Sequence, residues 1–174
     1  MTKVERSAMS RLQIAIDQIL SSRQYTNKIL ETIEDDDWFQ MPEPAVTHVA
    51  WQVGHIAVAQ YGLSLVRMRG EHESDEDLIS KEFRDRFNRA SVPDADPEAN
   101  PSVAEIRAVF DGVHEKALEE LPNVNDEDLD LPPLAPHQLF DTRLGALHWT
   151  ARHEMLHVGQ IGLLRRLFGK DKFR

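Results

Sequence analysis

The chain has 174 residues, with 30 acidic, 20 basic and 8 histidine side chains, a net charge of −10 and no cysteine. That length suits one domain with a sizeable core, while the acidity excludes a general binder of nucleic-acid phosphates and disfavours docking on an anionic bilayer. Without cysteine there is no disulfide framework, thiolate metal site or cysteine nucleophile, and no apolar run approaches the roughly 20 residues that span a membrane.

The opening stretch MTKVERSAMSRLQIAIDQIL is charged and periodic, unlike the unbroken apolar core of a signal peptide. A globular, cytoplasmic protein is expected, and its histidines are the part of the inventory that suggests chemistry. The first predicted helix covers residues 5–33, with Leu12, Ile16, Ile19, Leu20, Leu30 and Ile33 recurring at helical steps. Arg23 and Asn27 interrupt this stripe, which places its middle near something polar. An acidic run, Glu34–Asp37, and then Pro42 and Pro44 end it.

The second helix is predicted over 47–69, with Thr47 as N-cap and Val49, Val53, Ile56, Leu63 and Val66 among its apolar positions. Gly54 and Gly62 each cost about 1 kcal/mol against Ala inside it, and a helical glycine permits close approach of a neighbour. Residues 71–100 are acidic and polar, with Pro93 and Pro97 and a short helix near 77–87. Such a stretch is long for a loop and reads as a crossover or a lid.

Ser102 and Glu105 form a capping-box pattern ahead of a third helix over 102–121, striped by Ile106, Phe110, Val113, Ala117 and Leu121 and stopped by Pro122. A Pro- and Asp-rich stretch, 122–138, precedes a fourth helix over 142–168, closed by Gly169 and a basic tail. No strand alternation or fixed repeat is present, so the expected fold is all-α, a four-helix bundle with long connections forming a single domain over 1–174.

The strongest chemical signal is His153-Glu154-Met155-Leu156-His157. Histidines at i and i+4 are about 40° apart around a helix and about 6 Å apart along it, so both imidazoles can reach one metal ion. HExxH is also the zinc-protease signature, with the glutamate as base, but those enzymes draw a third ligand from downstream. Only Asp171 is available there, past the helix end, so a protease is disfavoured and the third ligand must lie upstream. His55, inside the second helix one turn after Trp51, is the best upstream choice. His48 is a weaker one, an entrance or surface histidine. His72 and His137 fall in loops, His114 lies beside the stripe of the third helix, and His148 faces elsewhere.

Two stretches, His48–Gln60 (HVAWQVGHIAVAQ) and His153–Arg166 (HEMLHVGQIGLLRR), resemble the DinB/YfiT-like family of metal-binding helical bundles. The resemblance implies a bundle with His55, His153 and His157 as ligands of a divalent ion such as zinc or nickel. It also implies a homodimer and either a transferase acting on low-molecular-weight thiols or a hydrolase. An alternative is a non-catalytic metal-binding or stress-response interaction module; the plainest reading is a structural bundle with fortuitous histidines. Around the site, Trp51 and Trp149 are read as pocket walls or core residues. Gln160 is read as a cavity residue or an interhelical hydrogen-bond partner. Glu154 is read as a catalytic base, a support for a ligand, or a partner of Arg165 or Arg166. Arg165 and Arg166 suit the helix dipole.

Overall fold

A computed structural model describes residues 9–173, and every regular element among them is helical. Helix α1 is Arg11–Leu30, capped by the Ser10 side chain, which accepts from the Gln13 amide. The predicted start near residue 5 lies partly outside the described residues; within them the helix begins only after Ser10. Helix α2 runs through Val49–Gln60, a π-helical stretch Tyr61–Val66, and Arg67–Arg69 without a break. Its N-cap is His48 rather than Thr47: the His48 ring accepts from the Trp51 amide at 3.1 Å. In the 71–100 segment, the expected short helix is two, α3 (Asp75–Leu78) and α4 (Lys81–Phe87), separated by Ile79 in an extended conformation with Ser80 capping α4. Helix α5, Val103–Glu120, opens on the complete Ser102–Glu105 capping box, and α6 is Arg143–Leu167, followed by Gly169 at φ +82°.

Side-chain pairs fix the helix directions. Ser22 reaches the Ala151 carbonyl, Thr26 reaches Glu154, and Thr32 reaches Arg165, so α1 and α6 run parallel. Gln52 meets His157 and Ser64 meets Thr150, so α2 runs antiparallel to α6. Gln60 meets His114 and Arg69 meets Glu120, so α2 and α5 are parallel. Parallel neighbours cannot be joined by a tight turn. The chain must return along the length of α5, about 27 Å at 1.5 Å per residue. Residues 71–100 are that crossover.

The crossover is anchored at its start by buried Asp75, whose carboxylate accepts from Arg69, the Tyr61 hydroxyl and the His72 amide. Burial pushes Asp75 up, but those donors outweigh it and hold the carboxyl down at about 2. Its far part is anchored by Phe83 and Phe87, both in the core with Ile79. The remaining core joins Ile16, Ile19 and Leu30 of α1, Val53 and Ile56 of α2, Ile106 and Phe110 of α5, and Leu147 and Ile161 of α6. Among the described residues no helix is long and apolar enough to cross a membrane.

Gly54 is required by the crossover. A Cβ there would lie 2.5 Å from Cγ of Phe87. Gly54→Ala gains about 1 kcal/mol of helix propensity but overpacks the Phe87 seat. A net loss of about 1–3 kcal/mol is expected from denaturant unfolding. A stabilised variant would show that the ring moves aside freely.

Candidate metal centre

Helical spacing puts His153 and His157 one turn apart on α6, and the antiparallel packing of α2 sets His55 against both. The ring centroids of His55 lie 5.2 Å from His153 and 4.8 Å from His157, and the two α6 rings are 4.5 Å apart. One ligating nitrogen from each of the three falls within 4.8 Å of the others. The Nε2 atoms of His153 and His157 are 3.2 Å apart. Two ligands held tetrahedrally at zinc–nitrogen distances are about 3.4 Å apart, so this pair already has the separation a divalent ion needs.

The outer nitrogens of two rings are occupied. His55 Nδ1 donates to the Phe87 carbonyl at 2.7 Å, and His157 Nδ1 donates to the Gln52 amide oxygen at 2.5 Å. Each bond fixes a ring's orientation and directs its Nε2 lone pair inward, which is how histidine ligands are prepared for a metal. Burial, followed by the charges of His153 and His55, pushes His157 down to about 3. Burial, then His55 and His137, pushes His153 down to about 4. Burial also pushes His55 down, against the opposing effect of the Phe87 carbonyl. All three shifts favour the neutral ring, the form that ligates metals, and the donor set fits a borderline divalent ion such as zinc or nickel.

Both tryptophans flank the ligands. Trp51 stacks on His55 at 4.8 Å with ring planes 5° apart, and its Nε1 donates to Ser91 Oγ at 2.9 Å. Trp149 is tilted against His153 at 6.3 Å. Gln160 is exposed and meets no histidine; it accepts from Gln52 Nε2 at 2.9 Å, so it acts on His157 only through Gln52. His48 does not stand at an entrance. It is wholly buried, because a helix N-cap under Phe39 is closed from solvent.

Glu154 departs most from expectation. Its Oε1 accepts from Arg23 Nε at 2.9 Å and from Thr26 Oγ1 at 2.6 Å, both on α1, and not from Arg165 or Arg166. Arg165 instead donates to Thr32. Arg23 also donates to the Phe110 carbonyl at 2.8 Å and to Gln60 Oε1 at 2.7 Å, and lies 3.4 Å over the Phe110 ring. Gln60 then donates to His114, which burial and the Arg23 charge push down to about 3. The glutamate of this HExxH thus joins a buried four-helix network through Oε1 and is bonded to α1, while its Oε2 is buried without a hydrogen-bond partner.

Sequence reasoning missed Gln52, Thr47, Ser91 and the Phe87 carbonyl. Gln52 was findable: it is one turn before His55, polar in an apolar stretch, and close to the same face. A backbone carbonyl delivered by a distant segment leaves no trace in side-chain spacing.

The family model described as the DinB superfamily matches residues 18–161. No curated protein matches the chain. Among solved structures, a conserved protein from Enterococcus faecalis superimposes with a TM-score of 0.65 at 19% identity, covering 94% of this chain and 100% of that one. That likeness establishes the fold alone.

The Arg23–Glu154 pair yields a direct test. Arg23→Leu strands a buried carboxylate and should cost about 3–5 kcal/mol, whereas Arg23→Leu with Glu154→Leu should recover most of that loss. Thermal denaturation of the single and double variants measures it; equal losses would show that the charges are not coupled.

Proposed function

The chain belongs to the DinB superfamily, and on that premise we propose that it is a divalent-metal protein, loaded with zinc or nickel by His55, His153 and His157. We propose further that it is an enzyme of the thiol S-transferase or hydrolase type, acting on a small molecule in the cytoplasm. The observation that carries the metal reading is the convergence of three neutral imidazoles, two with their Nδ1 hydrogens already taken. When bound, an ion held by uncharged ligands supplies Lewis acidity toward a water or a thiol.

The chain's own residues divide the remaining work. Trp51 covers one face of His55 and Trp149 borders His153, so both exclude water from the ligands. Glu154 is withheld by Arg23 and cannot shuttle protons without breaking the core network. That favours a substrate able to ionise under the metal's influence alone, and a low-molecular-weight thiol meets the requirement better than an amide. The same withheld base supports the second reading, a metal-binding module without catalysis.

Purified, untagged protein should carry stoichiometric metal, and added zinc or nickel should raise the Tm of the stripped protein. His55→Ala should abolish this uptake as fully as His157→Ala. Metal content unchanged in His55→Ala would remove that residue from the site. Full loading with no turnover of thiol–electrophile, ester or amide panels would select the non-catalytic module.

We also propose a homodimer through the outer groove between α1 and α6. Ile14, Met155 and Leu156 line this groove and are 42%, 43% and 57% exposed. Asp17 and Arg152 stand in the same groove, so a two-fold copy can set each Arg152 against the partner's Asp17. Sedimentation at micromolar concentration should give a dimer, and Ile14→Glu with Met155→Glu a monomer that keeps its metal. A monomeric parent protein would contradict the proposal.

A further inference from the structure

His55 and His157 obtain their ligand-ready tautomers in different ways. The acceptor for His55 is the backbone carbonyl of Phe87, which can only accept. The acceptor for His157 is a side-chain amide, and an amide can turn over. Gln52 is 1% exposed, so water does not compensate for a wrong orientation. Its oxygen faces His157 Nδ1, while its nitrogen donates both hydrogens, to Thr47 Oγ1 and to Gln160 Oε1, each at 2.9 Å.

Turned by 180°, the Gln52 amide would present N–H to His157 Nδ1. That nitrogen would have to accept, and the ring proton would move to Nε2. There it would point into the cluster, toward His153 Nε2 only 3.2 Å away, and would occupy the lone pair a metal requires.

We propose that Gln52 is a positioning residue of the metal centre: anchored by Thr47 and Gln160, its amide oxygen holds His157 as the Nδ1-protonated tautomer and so keeps Nε2 open for the ion. The proposal rests on the three-histidine reading of the site. It gives Gln160 an indirect role, orienting Gln52 from outside the cluster. It also gives α2 two tasks one turn apart, since His55 supplies a ligand and Gln52 sets the chemistry of another.

The test compares Gln52→Leu, which deletes the acceptor, with Gln52→Glu, which keeps an oxygen in its place. Three quantities are read: zinc affinity by competition with a chromophoric chelator, the histidine ring ¹⁵N shifts of metal-free and zinc-loaded protein, and the Tm of the metal-free protein. In the parent protein the His157 shifts should report Nδ1–H before any zinc is added. Gln52→Leu should lose about 10–100-fold in zinc affinity and its His157 should shift toward Nε2–H, whereas Gln52→Glu should stay within about threefold of the parent.

An Nε2–H tautomer in the metal-free parent overturns the proposal. So does Gln52→Leu binding zinc as the parent does, or Gln52→Glu losing as much as Gln52→Leu at equal Tm, which would leave Gln52 only a tie between helices. Should Gln52→Leu not fold, the tautomer of the parent and the affinity of Gln160→Ala, which frees the amide to turn, decide the matter. A parent that takes up no zinc while His157 shows Nδ1–H overturns the metal reading and leaves the tautomer control standing.

Discussion

Three imidazoles packed against one another in the wall of a helical bundle, His55 and His157 buried and His153 half-buried, impose the constraint on which the rest of the structure depends. Each loses hydration on burial, and a neutral ring still carries one N–H that must find an acceptor. A long apolar helix offers none, because its own carbonyls are spent on the i to i+4 ladder. The acceptors must therefore come from outside the ladder. For His55 it is the carbonyl of Phe87, the last residue of α4, which is free of a helical partner because it stands at a helix end. For His157 it is a glutamine side chain across the α2–α6 interface.

This requirement explains features that otherwise read as irregularities. The crossover exists because α2 and α5 are parallel, but its path over Gly54 is what sets the Phe87 carbonyl beside His55. Gly54 accepts a helix-propensity loss of about 1 kcal/mol so that a phenyl ring can lie flat against the backbone. Ser91, a few residues on, holds the indole of Trp51 over the same histidine. A segment that reads in the sequence as a crossover or a lid thus contributes a carbonyl and a hydroxyl to the surroundings of the three-histidine cluster.

Much of this was legible in the sequence, and the limits have a physical pattern. Helices, capping box and the His153–His157 register follow from local periodicity, which depends only on residues within a turn or two. His55 could be chosen because its place on an apolar helix face is also local. Even the polar break at Arg23 in the first stripe was a true signal, since Arg23 sits in the core against Glu154, Gln60 and the Phe110 carbonyl. What spacing could not decide was direction. Glu154 is about 100° from His153 around α6, and nothing local says whether that angle leads to solvent, to the metal or to a cation 131 residues earlier in the chain. The His48 cap and the Phe87 carbonyl escaped for the same reason: a cap is decided by backbone geometry, and a carbonyl belongs to every residue alike.

The placement of Glu154 also bears on how one motif supports different chemistry. In a zinc protease the glutamate between two ligands must reach the open side of the ion to act as a base. Here α1 runs parallel to α6 at hydrogen-bonding distance and presents Arg23 and Thr26 to that glutamate. Breaking an ion pair so deeply buried costs several kilocalories, which holds the carboxylate against α1. The helix pairing that completes the core thereby turns the carboxylate toward α1 and leaves the three imidazoles as the cluster's own donor set. The same five-residue motif therefore places its glutamate in the core of this bundle, whereas a protease would need it positioned as a base.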